Sequence, residues 1–282
     1  MTKFGVLQIE PVQKQIREIF LNRIIQAKGL SRAAELLSDI MMPTPSAVLQ
    51  AMELLSKGCD GEAGIGELVA VDVGGATTDV YSIADGMPEH MNTVYKGLPE
   101  PYAKRTVEGD IGMRYSLKGV LDAAGMARIC ELSGLGEERV ETLIEELSQN
   151  TDKVPCGEDE LEKLDFAVAS CAIEEAVTRH AGTISETFTM MGQTFVQEGK
   201  NLTKVKQIVV TGGSLIHTKR TQEIASHALY SQLKPASLKP KCADIWVDRT
   251  YILAAMGLLS SYYPCVALRI MKKELEKYGY SE

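Results

Sequence analysis

The sequence has no run of about 18 uninterrupted apolar residues, so nothing in it is long enough to cross a bilayer as an apolar helix. It has no concentrated block of lysine and arginine either. Its 30 basic residues are outnumbered by 38 acidic ones for a net charge of −8, which excludes nucleic acid as the main partner because phosphate backbones require a concentrated positive face. The six cysteines, Cys59, Cys130, Cys156, Cys171, Cys242 and Cys265, include no CxxC pair and no Cys/His cluster at zinc spacing. Reduced, structural thiols are expected. The opening MTKFGVLQIEPVQKQ lacks the apolar core of a secretory signal, and a cytoplasmic location is expected. Two familiar phosphate-binding signatures are missing as well: there is no GxxxxGK[ST], and no GxGxxG opens a helix at the main glycine turn.

What the chain does have is length and apolar content, 282 residues at 45% hydrophobic, enough to bury a large core. Residues 11–28 place Ile16, Ile19, Phe20 and Ile24 at helical spacing, and SRAAELLSDIM and MPTPSAVLQAMELLSKG predict two more helices. The polar, glycine-rich GCDGEAGIGE at 58–66 reads as a surface loop. From Leu68 the pattern changes to short β-branched runs: LVAVDV, DVYSI and a third strand near MNTVY are expected to lie side by side in one sheet. Residues 108–150 read as helices broken at Gly119, Gly125 and Gly134, and 158–198 as one or two long helices joined around Gly182. KQIVVTGG and CADIWV read as strands, TQEIASHALYSQL as an amphipathic helix, and 249–278 as helical sequence that Pro264 kinks or divides. Strands alternating with long helices give an α/β class.

The stretch VAVDVGGATTDVYSI is where chemistry concentrates. A tight hairpin would use Gly74 and Gly75 for their conformational freedom, but would need neither two acids nor two hydroxyls. A phosphate cradle needs all of them. Glycines let backbone N–H groups approach a polyphosphate, Thr77 and Thr78 add hydroxyl donors, and Asp72 and Asp79 can hold a hydrated Mg²⁺ that offsets their repulsion of phosphate. A second strand runs into a Gly-Gly turn at IVVTGGSLIH, where Gly212 and Gly213 are followed by Ser214. His180, His217, Trp246 and the methionine pairs read more simply as packed or exposed side chains than as ligands.

These turns carry a resemblance. VDVGGATTDV is similar to the second phosphate loop of the actin, sugar kinase and heat-shock chaperone ATPase superfamily, with Ala76 where a third glycine is common, and VTGGS resembles its adenosine loop. NRIIQAKGLS, MMPTPSAVL, KRTVEGDIGMRYS and RHAG, taken with the two turns, are similar to the MutL/GlmL family associated with adenosylcobalamin-dependent glutamate mutase, which is unrelated to the mismatch-repair proteins of the same first name.

The resemblance implies an actin-like ATPase (ribonuclease H-like) lobe with a mixed sheet flanked by helices, plus helical remnants of a first lobe. The implied boundaries are 1–66 for the remnant and connecting helix, 67–248 for the second lobe and 249–282 for helices returning toward the first. A first phosphate loop, D-x-G-[ST]-x-[ST], is not found in 1–68, and the chain is expected to be the C-terminal portion of a larger protein. ATP and Mg²⁺ are the implied cofactors, with Asp72 and Thr77 in catalytic roles and Asp72 and Asp79 at the metal. Gly74, Gly75, Ala76, Thr77, Thr78, Glu108, Gly109, Asp110, Glu175, Arg179, Gly212, Gly213 and Ser214 are implied to contact nucleotide. The implied function is an ATPase that assists or reactivates a cobalamin-dependent mutase, the mutase subunits being its partners, with self-association an open possibility. A small-molecule kinase of the same superfamily, or a non-catalytic assembly protein that keeps the fold, are the alternatives.

Overall fold

The computed structural model describes residues 42–89, 92–155, 157, 159–189 and 192–279, together with Pro11, Val12, Gln15, Ile16, Glu18 and Ile19. The chain divides into two compact units, Met1–Ser46 and Ala47–Glu282. In the first, the six described positions between 11 and 19 are helical, as the isoleucine spacing predicts, whereas Phe20, Ile24 and the helix expected at 31–41 lie outside the described residues.

The second unit is α/β and is entered through helix α1 (Thr44–Lys57). Its central sheet has six strands in the order β11 (Glu276–Tyr278), β10 (Asp244–Val247), β9 (Gln207–Thr211), β3 (Leu68–Val73), β4 (Thr78–Ile83) and β6 (Ala103–Glu108). β3, β9 and β10 run parallel to one another, while β4, β6 and β11 are antiparallel to their neighbours. β3 and β9 are the β-branched runs LVAVDV and QIVVT, the composition of strands covered on both faces.

Alternation along β3 divides the core in two. Val69, Val71 and Val73 pack with helices α2 (Leu117–Ala124), α3 (Met126–Ser133), α4 (Glu137–Gln149), α5 (Glu160–His180) and α7 (Thr221–Ser226). Leu68 and Ala70 pack with Tyr81, Ile83 and Val209 against α1, α8 (Leu253–Ser260) and α9 (Pro264–Glu274). Helix α5 is buried along most of its 21 residues and starts at Asp159, whose carboxylate accepts the Glu162 N–H at 2.8 Å.

Several expectations are corrected. The 58–66 segment contains a small hairpin, β1 (Gly58–Cys59) paired with β2 (Glu62–Ala63). β5 (Thr93–Lys96) does not join β3 and β4. It lies in a separate three-stranded sheet beside β8 (Gly192–Glu198), which pairs in turn with β7 (Thr183–Thr189), and the third strand of the main meander is β6. The long helix expected to resume beyond Gly182 is therefore a hairpin: TISETFT and GQTFVQE are rich in β-branched and aromatic residues, and Gly192 turns at φ 107°. Helix α2 runs through Gly119, where a Cβ would lie 1.9 Å from the Asp110 carbonyl oxygen, so this glycine serves close packing and not a break. The helix expected at TQEIASHALYSQL stops after Ser226, and the chain end adds strand β11 after α9, which Pro264 opens.

The thiols also differ. Cys59 and Cys265 form a disulfide with a Cα–Cα distance of 5.8 Å, because the start of α9 packs on the β1–β2 hairpin and joins positions 206 apart in sequence. Cys130, Cys171 and Cys242 are free. His180 is structural, buried between Thr106 Oγ1 and Ser82 Oγ, each 2.8 Å from a ring nitrogen.

Candidate functional site

Strand β3 ends in the first glycine turn and its parallel neighbour β9 ends in the second. Asp72 lies level with Thr211, so the two turns leave adjacent strands at the same sheet edge. Crevices outside the carboxyl ends of parallel strands are where α/β sheets bind ligands. Here a cleft of about 830 Å³ is lined by Val73 and Gly75 from the first turn, Gly213 and Ser214 from the second, and Arg114, Asp165 and Phe166 beside them. Its volume lies within the range of small-molecule sites.

The first turn is held in place. The Gly74 N–H donates to the Thr77 carbonyl at 2.9 Å. Met113 N donates to Gly74 O at 3.0 Å, and Arg114 N and Tyr115 N both donate to Gly75 O at 2.8 and 2.9 Å. Ser116 Oγ donates to Ala76 O at 2.6 Å, and Gly112 comes so close that a Cβ there would lie 2.5 Å from the Ala76 carbonyl carbon. The carbonyls of the turn are thus occupied from behind. The N–H groups of Gly75 and Ala76 donate to no described backbone carbonyl, the condition an anion cradle requires. Thr77's hydroxyl is uncommitted among the described residues. Thr78 is not: buried, it donates to Ile111 O at 3.0 Å and anchors the 109–113 segment under the turn.

The second turn, which opens the short helix α6 (Gly213–Ile216), needs Gly212 itself. It sits at φ 110°, and a Cβ would lie 2.3 Å from Val73 O, so the two turns touch through backbone alone.

The acids gather at the same edge. Asp72 and Asp79 are direct cross-strand partners on β3 and β4. Asp72 makes no hydrogen bond or ion pair with any described residue, and burial, reinforced by Asp79 and Asp248, pushes its carboxyl up to about 6. Asp79 instead accepts two bonds on Oδ1 from Arg105 of β6, at 2.8 Å from Nε and 2.6 Å from Nη2. Asp248, buried at the end of β10, accepts the N–H groups of Ile252 and Leu253 at 3.1 and 3.2 Å and caps α8. Among the described residues no group of three or more His, Cys, Asp or Glu side chains forms a metal site. A cation at Asp72 and Asp79 would complete its shell with water or phosphate oxygens. The unpartnered, desolvated Asp72 fits a divalent ion there, and at Asp79 only Oδ2 is free of the arginine.

Other expected residues fall into two further groups. Glu108 and Asp110 are brought together by Arg179, whose Nη1 lies 2.9 Å from the first and 2.7 Å from the second, holding the Asp110 carboxyl below its usual range. Gly109 joins them to the turn, since Ser116 Oγ also contacts its carbonyl at 3.1 Å. Glu175 pairs with Lys234 and does not line the cleft.

Three residues at the site went unnoticed in the sequence. Arg105 lies in KRTVEGDIGMRYS, where nothing local directs it to Asp79. Arg114 grips Asp165 with both guanidinium arms, at 2.9 and 2.7 Å, and closes one side of the cleft. Tyr251 follows Asp248 and puts its hydroxyl 3.7 Å from where a side chain on Gly213 would begin. The arginine in GDIGMRYS is the one whose place beside a glycine-acid motif could have drawn attention.

Comparison with known proteins agrees with the sequence pattern. A family model described as MutL protein matches residues 1–275. The chain is 43% identical over 277 residues to Protein MutL of Clostridium tetanomorphum, an alignment covering 98% of this chain and 60% of that protein. The chain therefore spans about three fifths of the length of this curated relative.

Proposed function

The chain belongs to the MutL protein family, and on that premise we propose that it is a Mg²⁺-dependent nucleotide-binding lobe of an actin-like ATPase that assists or reactivates an adenosylcobalamin-dependent mutase. The observation that carries the reading is that both glycine turns line one cleft of about 830 Å³, with the Asp72–Asp79 pair at the same strand ends. The strand order supports it too. Three antiparallel strands, β6, β4 and β3, followed by parallel β9 and β10, form the kind of sheet the actin-like reading requires.

In this reading the free amides of Gly75 and Ala76 and the Thr77 hydroxyl bind phosphate oxygens, and the Gly212–Ser214 turn seats the nucleoside side. Mg²⁺, when bound, neutralises phosphate charge. Asp72 would hold it together with Asp79, and the Asp72 carboxylate would orient the attacking water. Coupling to a mutase follows from lobe movement that differs between nucleotide states, and concerns the whole protein.

Calorimetric titration of the chain with Mg-ATP and Mg-ADP tests the reading. Binding that weakens in both Asp72→Asn and Gly213→Val supports it; the absence of any nucleotide binding overturns it.

A further inference from the structure

Tyr251 is the sole non-glycine with a left-handed backbone among the described residues, at φ 55°. Such a conformation costs about 1 kcal/mol or more for a large side chain and persists where its surroundings impose it. The surroundings here are explicit. Asp248, three positions earlier, is buried, donates its N–H to the Val210 carbonyl of β9 at 3.0 Å, and accepts the N–H groups of Ile252 and Leu253 on its carboxylate, so the chain is held on both sides of Tyr251.

The side chain placed by this backbone is half exposed at 51% and its phenol donates to no described residue. It does not serve the core. Its hydroxyl lies over Gly213 at the end of β9, with the carboxyls of Asp72 at the end of β3 and Asp248 past the end of β10 both within electrostatic reach. A phenol is protonated at neutral pH, so the hydroxyl is available as a donor. The unpartnered Asp72 and a glycine turn near an unspent donor form a complementary set for an anion that arrives with its own cation.

We infer that Tyr251 is a phosphate-contacting residue, its hydroxyl donating to a polyphosphate oxygen between the two glycine turns. The assignment rests on the nucleotide reading above and adds a residue that neither turn contains.

The test compares the full chain with Tyr251→Phe, which removes one oxygen, using three probes titrated separately: Mg-ATP, Mg-tripolyphosphate and adenosine. The expected result is a loss of about tenfold for the two phosphate ligands with adenosine unchanged, the size expected for a hydrogen bond to a charged group. Equal losses for all three probes, or no loss for any, overturn the inference and leave the nucleotide reading standing. If the unmodified chain binds none of the three, the nucleotide reading fails and this assignment fails with it.

Discussion

Asp72 and Asp79 face each other across the β3–β4 pair, yet Arg105 neutralises just one of them. The unneutralised acid is the one nearer the parallel strands, at the edge where both glycine turns begin. A carboxylate held in that state lowers the stability of the fold at neutral pH and favours whatever cation relieves it.

Stability should therefore depend on pH through Asp72 in a definite direction. Its folded pKa of about 6 stands above the ordinary 3.8, so the folded chain holds the extra proton between those values, and the Asp72 contribution falls as pH rises from 4 to 6. Asp72→Asn removes the penalty. Thermal melts should show the variant more stable than the parent by about 1–3 kcal/mol at pH 7 and nearly equal to it at pH 4. Mg²⁺ should raise the melting temperature of the parent and not that of the variant.

If Mg²⁺ binds at Asp79 as proposed, Arg105 competes with it. Replacing it in Arg105→Gln should tighten Mg²⁺ binding by about threefold in a titration, with a stability change under about 1 kcal/mol, because the pair is part exposed at 32% and 15%. Weaker Mg²⁺ binding in this variant would show that the arginine orients Asp79 for the metal.

Gly212 tolerates no side chain. Gly212→Ala places a methyl group 2.3 Å from Val73 O at a left-handed backbone position and should cost about 3 kcal/mol in urea unfolding, with nucleotide binding lost in the fraction that folds. Gly75→Ala is the control. Its Cβ meets nothing nearer than 3.8 Å, and the loss of stability should be below about 1 kcal/mol.

A buried charge group beneath α5 offers a test remote from the cleft. Glu174, 6% exposed, contacts Arg128 at 3.5 Å and His227 at 3.8 Å, and its carboxyl is held down at about 2, first by the histidine, while the Lys239 ammonium falls to about 8 through burial. Glu174→Gln removes the buried counter-charge to Arg128, which keeps Glu131 at 2.9 Å, and should cost roughly 3 kcal/mol. In the parent this stabilisation is full above pH 4.5 and fades as pH falls toward 2, so the gap between parent and variant should narrow in acid melts.

Much of this site could be read from the sequence because its parts are local. LVAVDV, TDVYSI and QIVVT declare themselves through β-branched runs, and the paired glycines mark the turns that end β3 and β9. The α/β class follows from the same alternation. What could not be read depends on pairing between distant segments. MNTVYK is a reasonable strand, but nothing in it tells β4 from β8 as its partner, and the TISETFT hairpin was masked by its continuity with a 21-residue helix. The Arg105–Asp79 pair needs the β4–β6 register, in which Arg105 sits opposite Tyr81 and reaches diagonally to Asp79. Cys59 and Cys265 likewise meet only through the packing of α9 on a hairpin.

The pinning of the first glycine turn by residues 112–116 separates the motif from its shape. DVGGATTD supplies the groups that would face a ligand, but the hydrogen bonds that decide how Gly74, Gly75 and Ala76 are oriented come from a segment almost forty residues later. Grafting the eight-residue motif onto another strand hairpin would transfer its chemistry without its geometry. A transplant would have to carry GDIGMRYS with it, and sequence drift in the two segments should be correlated, each change in one constraining what the other can accept.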